Sequence, residues 1–292
     1  MQAVRLMPRA GWLLSLLAAA WLSGCAAPAT PATPSSLAQV PAKQADAIQA
    51  PAIQPDSRIV QTLAPTGVLR IGVYLGSPTS MVKDAQGQAQ GVALALGEAL
   101  GQALGVPTQV VVHERIAQVV QAMTQGQVDV TFTNASAARA KLMDFTSPML
   151  DLELGYAVMR TSPIQAIADI DRAGVLVGVS EGSSSQASLS KTYQAARVVA
   201  LPSLAQAATQ LRAGQIQAFA TNKAVLFELV DGVPGAHVLP GRWGLEHLAL
   251  AVPQGRENAK PYLDQFARTV ATNGVLSRAV QKAGLRGAVP TL

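Results

Sequence analysis

The sequence predicts an α/β fold built as two lobes of similar plan, and three observations carry the prediction. From about residue 58 short β-like apolar runs alternate with helix-periodic segments, the order that builds mainly parallel sheets. A helix–strand unit occurs twice along the chain. Both copies end in polar turns at the carboxyl ends of strands, where open α/β sheets bind ligands.

The chain has 292 residues, enough for two modest lobes. Residues 1–24 read as a secretory signal. Arg5 and Arg9 precede the apolar run GWLLSLLAAAWL, which is too short to cross a bilayer comfortably. Leu22-Ser23-Gly24-Cys25 closes the segment and resembles the bacterial lipobox, so Cys25 is the expected lipidation site after cleavage before it. It is the only cysteine, which leaves none for a disulfide in a compartment that permits one. Residues 25–57 follow as the acylated cysteine and an Ala/Pro-rich tether. The 30 residues from 26 to 55 would span about 30 Å as a flexible coil. Ala26 lacks the Asp retention signal, so an outer-membrane anchor facing the periplasm is the first expectation in a Gram-negative host.

Removing residues 1–24 leaves 20 basic against 17 acidic residues, a net charge of +3 scattered along the chain. That imbalance is too weak to argue for nucleic acid. His113, His237 and His247 lack metal-ligand spacing, and no metal or other cofactor is expected.

Strand candidates follow in order as LRIGV, TQVVV, VDVTF, YAVMR, VLVGV, ARVVAL, QAFA and LALAV. Between them Ile116, Val119, Val120 and Met123 recur at i, i+3, i+4, i+7, as do Leu204, Ala207, Ala208 and Leu211. Gly126 and Gly214 are placed to stop those two helices. Residues 116–134, IAQVVQAMTQGQVDVTFTN, match residues 204–222, LAQAATQLRAGQIQAFATN, at six of nineteen positions without a gap. IGVYLGS at 71–77 pairs with VGVSEGS at 177–183 in the same way. Two such lobes facing one another make a cleft.

The segment from about Leu69 to Leu285 resembles the bacterial extracellular solute-binding proteins of family 3, the receptors of polar amino acid ABC importers. GVLRIGV, GQVDVTFTNASAARAKLMDF, SPIQAIADIDRAGVLVGVSEGSS and the closing NGVLSRAVQKAG carry the resemblance. It implies a type II periplasmic-binding-protein-like clamshell. Lobe 1 would comprise residues 58–152 with 249–292 and lobe 2 residues 153–248, joined by crossing strands near Leu150–Tyr156 and His247–Val252. It also implies a monomer that closes on a small polar carboxylate-bearing solute, docks transiently on an ABC permease and meets the membrane only through its lipid.

In the family an arginine at the position of Arg139 grips the ligand's α-carboxylate, and Asn134 and Ser136 stand where flanking contacts lie. Guanidinium offers two parallel donors to a carboxylate, which a lysine cannot imitate. On the residues alone, a surface pair of Arg139 with Asp144 is the competing reading. Across the cleft Ser183 and Ser184 begin a helix whose N–H groups and hydroxyls are candidates to hold the same carboxylate, though helix capping explains them equally. Tyr74, Ser77 and Ser180, in the turns after the paired strands, complete the candidate ligand-binding set with Asn222.

Asn222 is a departure, because the family has an aspartate there to neutralise the ligand's ammonium. The stacking aromatics are missing too, with Ser77 and Ser80 in the PPF-like region and Arg115-Ile116 where Trp or Phe is common. Two ligands then remain open: an anionic carboxylate without a free ammonium, or an amino acid whose ammonium finds Glu181 or Glu114.

Gly178-Val179-Ser180-Glu181-Gly182 also spells G-x-S-x-G, with Asp231 or Glu246 and His237 or His247 following in the order of a hydrolase triad. A cyclohexadienyl dehydratase and a sensor input module are further alternatives on the same fold.

Overall fold

The computed structural model describes residues 54–289. The signal, Cys25 and the tether up to residue 53 lie outside the described residues.

The described chain opens with a helix not expected from the pattern, α1 (Ser57–Leu63), capped by the Asp56 carboxylate, which accepts from the Ile59 N–H. The first lobe continues through β1 (Leu69–Tyr74), the short hairpin β2 (Val82–Lys83) and β3 (Ala89–Gln90), α2 (Val92–Leu104), β4 (Thr108–His113), α3 (Ile116–Thr124) and β5 (Thr131–Asn134). A 3-10 turn at Arg139–Lys141 leads to β6 (Met143–Phe145), and β7 (Leu150–Met159) carries the chain across. The second lobe holds β8 (Leu176–Ser180), α4 (Ser184–Thr192), β9 (Arg197–Leu201), α5 (Leu204–Arg212), β10 (Ala218–Asn222), α6 (Lys223–Asp231) and β11 (Ala236–Val238). Strand β12 (Gly244–Pro253) returns, and α7 (Lys260–Thr272), α8 (Val275–Lys282) and β13 (Ala288–Val289) close the chain.

The duplication seen in the sequence is a duplication of structure. Ile71 bridges Val130 in parallel, and the aligned pair Val177 and Ala218 does the same in the second lobe. The parallel pairs β1–β4 and β8–β9 correspond as well. Gly126 and Gly214 both have φ of 68°, the left-handed turn that ends α3 and α5. The expected strand VDVTF begins later, at Thr131, because Asp129 is drawn aside. Its side chain and its N–H bond to Arg70.

Both crossing strands are longer than expected, since β12 starts at Gly244 and β7 runs to Met159. Strand β12 is antiparallel to β5 at one end, with Leu248 opposite Asn134. At the other end it is antiparallel to β7, with Gly244 opposite Leu154. Leu154 is in turn opposite Asn222 on β10. Opposed residues share a face and side chains alternate with period two. Asn134, Glu246 and Asn222 therefore stand on the same face of the sheet where the lobes meet.

Two apolar clusters fill the first lobe, a larger one including Ile71, Leu96, Phe132 and Leu250 and a smaller one including Met123, Val128 and Met143. In the second lobe alternation along β7 sends Tyr156 and Val158 to one core and Ala157 to another. Trp243 packs on the Tyr156 side and its indole N–H donates to the Gly155 carbonyl at 3.1 Å. Held inside one lobe, its fluorescence should change little when a ligand binds, even as the melting temperature rises. A large saturable change would show that this packing shifts during closure.

Candidate ligand-binding cleft

Arg139 is 8% exposed, so the surface pairing with Asp144 does not form. Asp144 instead accepts from the Arg256 N–H. The 3-10 turn after β5 folds Arg139 back over its own strand, and its guanidinium donates to Thr133 Oγ1 at 2.6 Å. Among the described residues that is its single side-chain hydrogen bond, and it makes no ion pair, although guanidinium has five N–H donors. Burial pushes its pKa down, while Glu246 and Tyr74 nearby oppose that shift. The group thus stays a cation with directed donors and little protein to receive them.

The cleft around it has a volume of about 40 Å³. One water needs about 10–15 Å³ on a similar measure, so the space suits a small solute. Tyr74, Arg139, Ser180, Ser183, Ser184 and Asn222 all line it. Burial pushes the Tyr74 hydroxyl pKa up, so the group stays neutral. Ser136 lies beside the cleft, lining an adjoining groove with Arg139, Ser183 and Ser184. Ser77 does not reach it: fully buried, its hydroxyl bonds that of Thr79 at 2.7 Å. Thr79 lines the wall instead.

The serines across the cleft have partners already. Ser183 Oγ accepts from the Gln186 N–H at 3.1 Å as the cap of α4, while Ser184 Oγ donates to Glu246 Oε1 at 2.6 Å. Asn222 caps α6 through Oδ1 and donates from Nδ2 to Glu246 Oε2 at 3.0 Å. Asn134 donates to Glu246 Oε1 at 3.4 Å rather than lining the cleft. Asn134 and Asn222 are equivalent positions of the repeat, so the two lobes hold one carboxylate between them with matching side chains.

Glu246 is the acid the sequence reading missed. It is 7% exposed, lines the cleft, and belongs to β12, which starts at Gly244 rather than at the expected His247. Neither acid suggested for the ammonium matches it. Glu181 is half exposed and pairs with Arg115 at 2.9 Å, and Glu114 is exposed at the rim.

The hydrolase geometry is not assembled. His247 bonds Asp151 at 2.8 Å, Asp231 pairs with Arg286, and His237 sits on β11 opposite Val158. None of these bonds reaches Ser180.

Two duplicated α/β lobes, joined by two crossing strands and enclosing a buried cation in a small cleft, define a clamshell binding protein. The chain belongs to the bacterial extracellular solute-binding proteins, family 3, whose profile matches residues 69–285. Similar solved structures include a mutant of ArgBP from T. maritima, 20% identical with a TM-score of 0.69, covering 77% of this chain and 99% of that one. The solute receptor for L-cysteine of Neisseria gonorrhoeae is 25% identical with a TM-score of 0.68, covering 77% and 92%. AbpA, an amino acid ABC transporter substrate-binding protein from Streptococcus pneumoniae bound to L-arginine, is 19% identical with a TM-score of 0.68, covering 76% and 97%. No curated protein matches the chain by sequence.

Proposed function

We propose that the chain is the extracytoplasmic receptor of an ABC importer and that it binds a small carboxylate-bearing solute of amino-acid type. Residues 58–152 with 249–292 form one lobe and 153–248 the other, and the closed pair is the form offered to the permease. No catalytic role is assigned to the cleft. Cys25 carries the lipid that holds the receptor at the periplasmic side of a membrane, first the outer one. The L-cysteine and L-arginine named for its structural relatives support the ligand class.

The observation that carries the reading is Arg139, a buried guanidinium with one neutral side-chain partner. A bound carboxylate gives it two charge-assisted bonds and cancels its charge. Lysine keeps the charge but loses the planar fork. Arg139→Lys is therefore expected to weaken the ligand that binds wild type by about 1.5–3 kcal/mol in calorimetry, the worth of the one charge-assisted hydrogen bond the fork adds. Unchanged affinity in a folded variant would remove Arg139 from the site.

A further inference from the structure

The cleft contains a buried cation and a buried anion that do not touch. Arg139 makes no ion pair among the described residues, and Glu246 receives only neutral donors, from Ser184, Asn222 and Asn134. Three hydrogen bonds leave a carboxylate with room for at least one more, since its two oxygens offer about four acceptor sites. Burying an ion without a countercharge in contact is costly, and the attraction between Glu246 and Arg139 across the cleft offsets only part of that cost. A small molecule that is anionic at one end and cationic at the other relieves both.

We infer that Glu246 is the residue that binds the ligand's ammonium, and that the solutes taken are small zwitterionic α-amino acids rather than anionic carboxylates. The inference rests on the receptor reading of the cleft. The sheet explains why the acid can act from a crossing strand. Register brings Asn134 and Asn222, one from each lobe, to either side of Glu246 on a single face, and their amides fix its oxygens. Asn222, an amide itself, serves as the donor that orients the anion. A hydroxy acid with the same skeleton would satisfy Arg139 and leave Glu246 buried without a cation. The volume of about 40 Å³ suits a small side chain, and a longer one would extend into the adjoining groove of about 560 Å³ that Arg139, Ser183 and Ser184 also line.

Calorimetry on protein unfolded and refolded to strip carried-over ligand tests this with matched probes: small L-α-amino acids, their 2-hydroxy acids and their N-acetyl derivatives. Wild type is expected to bind at least one amino acid about 30-fold or more tighter than its hydroxy acid, the scale set by breaking a buried charge pair. Glu246→Gln should erase that preference. The double variant Glu246→Gln with Asn222→Asp should regain at least about 10-fold of it, because the two side chains are 3.0 Å apart and the carboxylate moves by only that step. Equal binding of amino and hydroxy acids by wild type overturns the role of Glu246 and leaves the carboxylate receptor standing. So does a preference retained by folded Glu246→Gln. Binding of none of the probes overturns both readings. The wild-type comparison needs no variant, so it decides the matter even where Glu246→Gln fails to fold.

Discussion

Replacing Asp129 by alanine should cost the protein about 3–5 kcal/mol, the penalty for removing one partner of a buried ion pair. Asp129 is completely buried just before β5. Arg70 of β1 reaches it twice, Nε donating to Oδ2 at 2.7 Å and Nη2 to Oδ1 at 2.9 Å, and adds its own N–H at 3.1 Å. Arg256, from the segment after β12, donates from Nη2 at 3.0 Å, and its other terminal nitrogen donates to the Leu63 carbonyl. The carboxylate raises the Arg70 pKa, chiefly through their hydrogen bonds. One anion therefore joins the first strand of the lobe, its β5 segment and the chain that returns from the second lobe. Alanine strands two guanidinium groups with side-chain exposures of 19% and 13%. For a domain of this size the loss corresponds to a fall of about 6–20 °C in melting temperature. Asp129 does not line the cleft, so ligand affinity measured well below the transition should hold. A melting temperature within about 2 °C of wild type, half a kilocalorie on the same scale, would show that water replaces the carboxylate without penalty.

What could be read from the sequence and what could not divide along the distance between partners in the chain. Periodicity placed α3 and α5, alternating apolar runs placed most strands, and the repeat 116–134 over 204–222 paired them correctly, because each is a pattern within about twenty residues. The helix start at Ser184 was legible for the same reason. The environment of Arg139 was not: on the residues alone a surface pair with Asp144, five positions away, is the favoured reading. Only the 3-10 turn buries it against Thr133. Glu246 was hardest, since its meaning depends on Asn134, 112 positions away, and Ser184, 62 away. A signal did exist. Extending the returning strand back by three residues puts Glu246 among apolar neighbours at a buried position, where an unpaired acid demands a reason.

Gly182→Ala is expected to impair both stability and ligand binding, and the two losses have different causes. Gly182 has φ of +71°, where an L-residue costs about 1–2 kcal/mol whether the lobes are open or closed. A Cβ there would stand 2.6 Å from the Cβ of Ala117, on α3 of the opposite lobe. Carbon atoms settle at about 3.5–4.0 Å, so the lobes must part by about an ångström at this edge or deform. That second penalty, about 1–3 kcal/mol for an overpacked contact, exists only when the lobes are closed. It should appear as an affinity loss of about 5- to 150-fold. The neighbouring Arg115–Glu181 pair, at 2.9 Å and partly exposed, spans the same edge. Exposed pairs contribute about 0–1 kcal/mol, so Glu181→Gln should change affinity by less than fivefold. Steric fit between Gly182 and Ala117 thus governs this edge more than charge does. Adding Ala117→Gly to Gly182→Ala removes the clashing carbon but not the backbone strain, and adds about 1 kcal/mol of helix penalty. The double variant should then recover most of the binding while melting no higher than Gly182→Ala alone. Affinity that stays low in the double variant would trace the loss to the turn itself, and Ala117 would have no part in limiting closure.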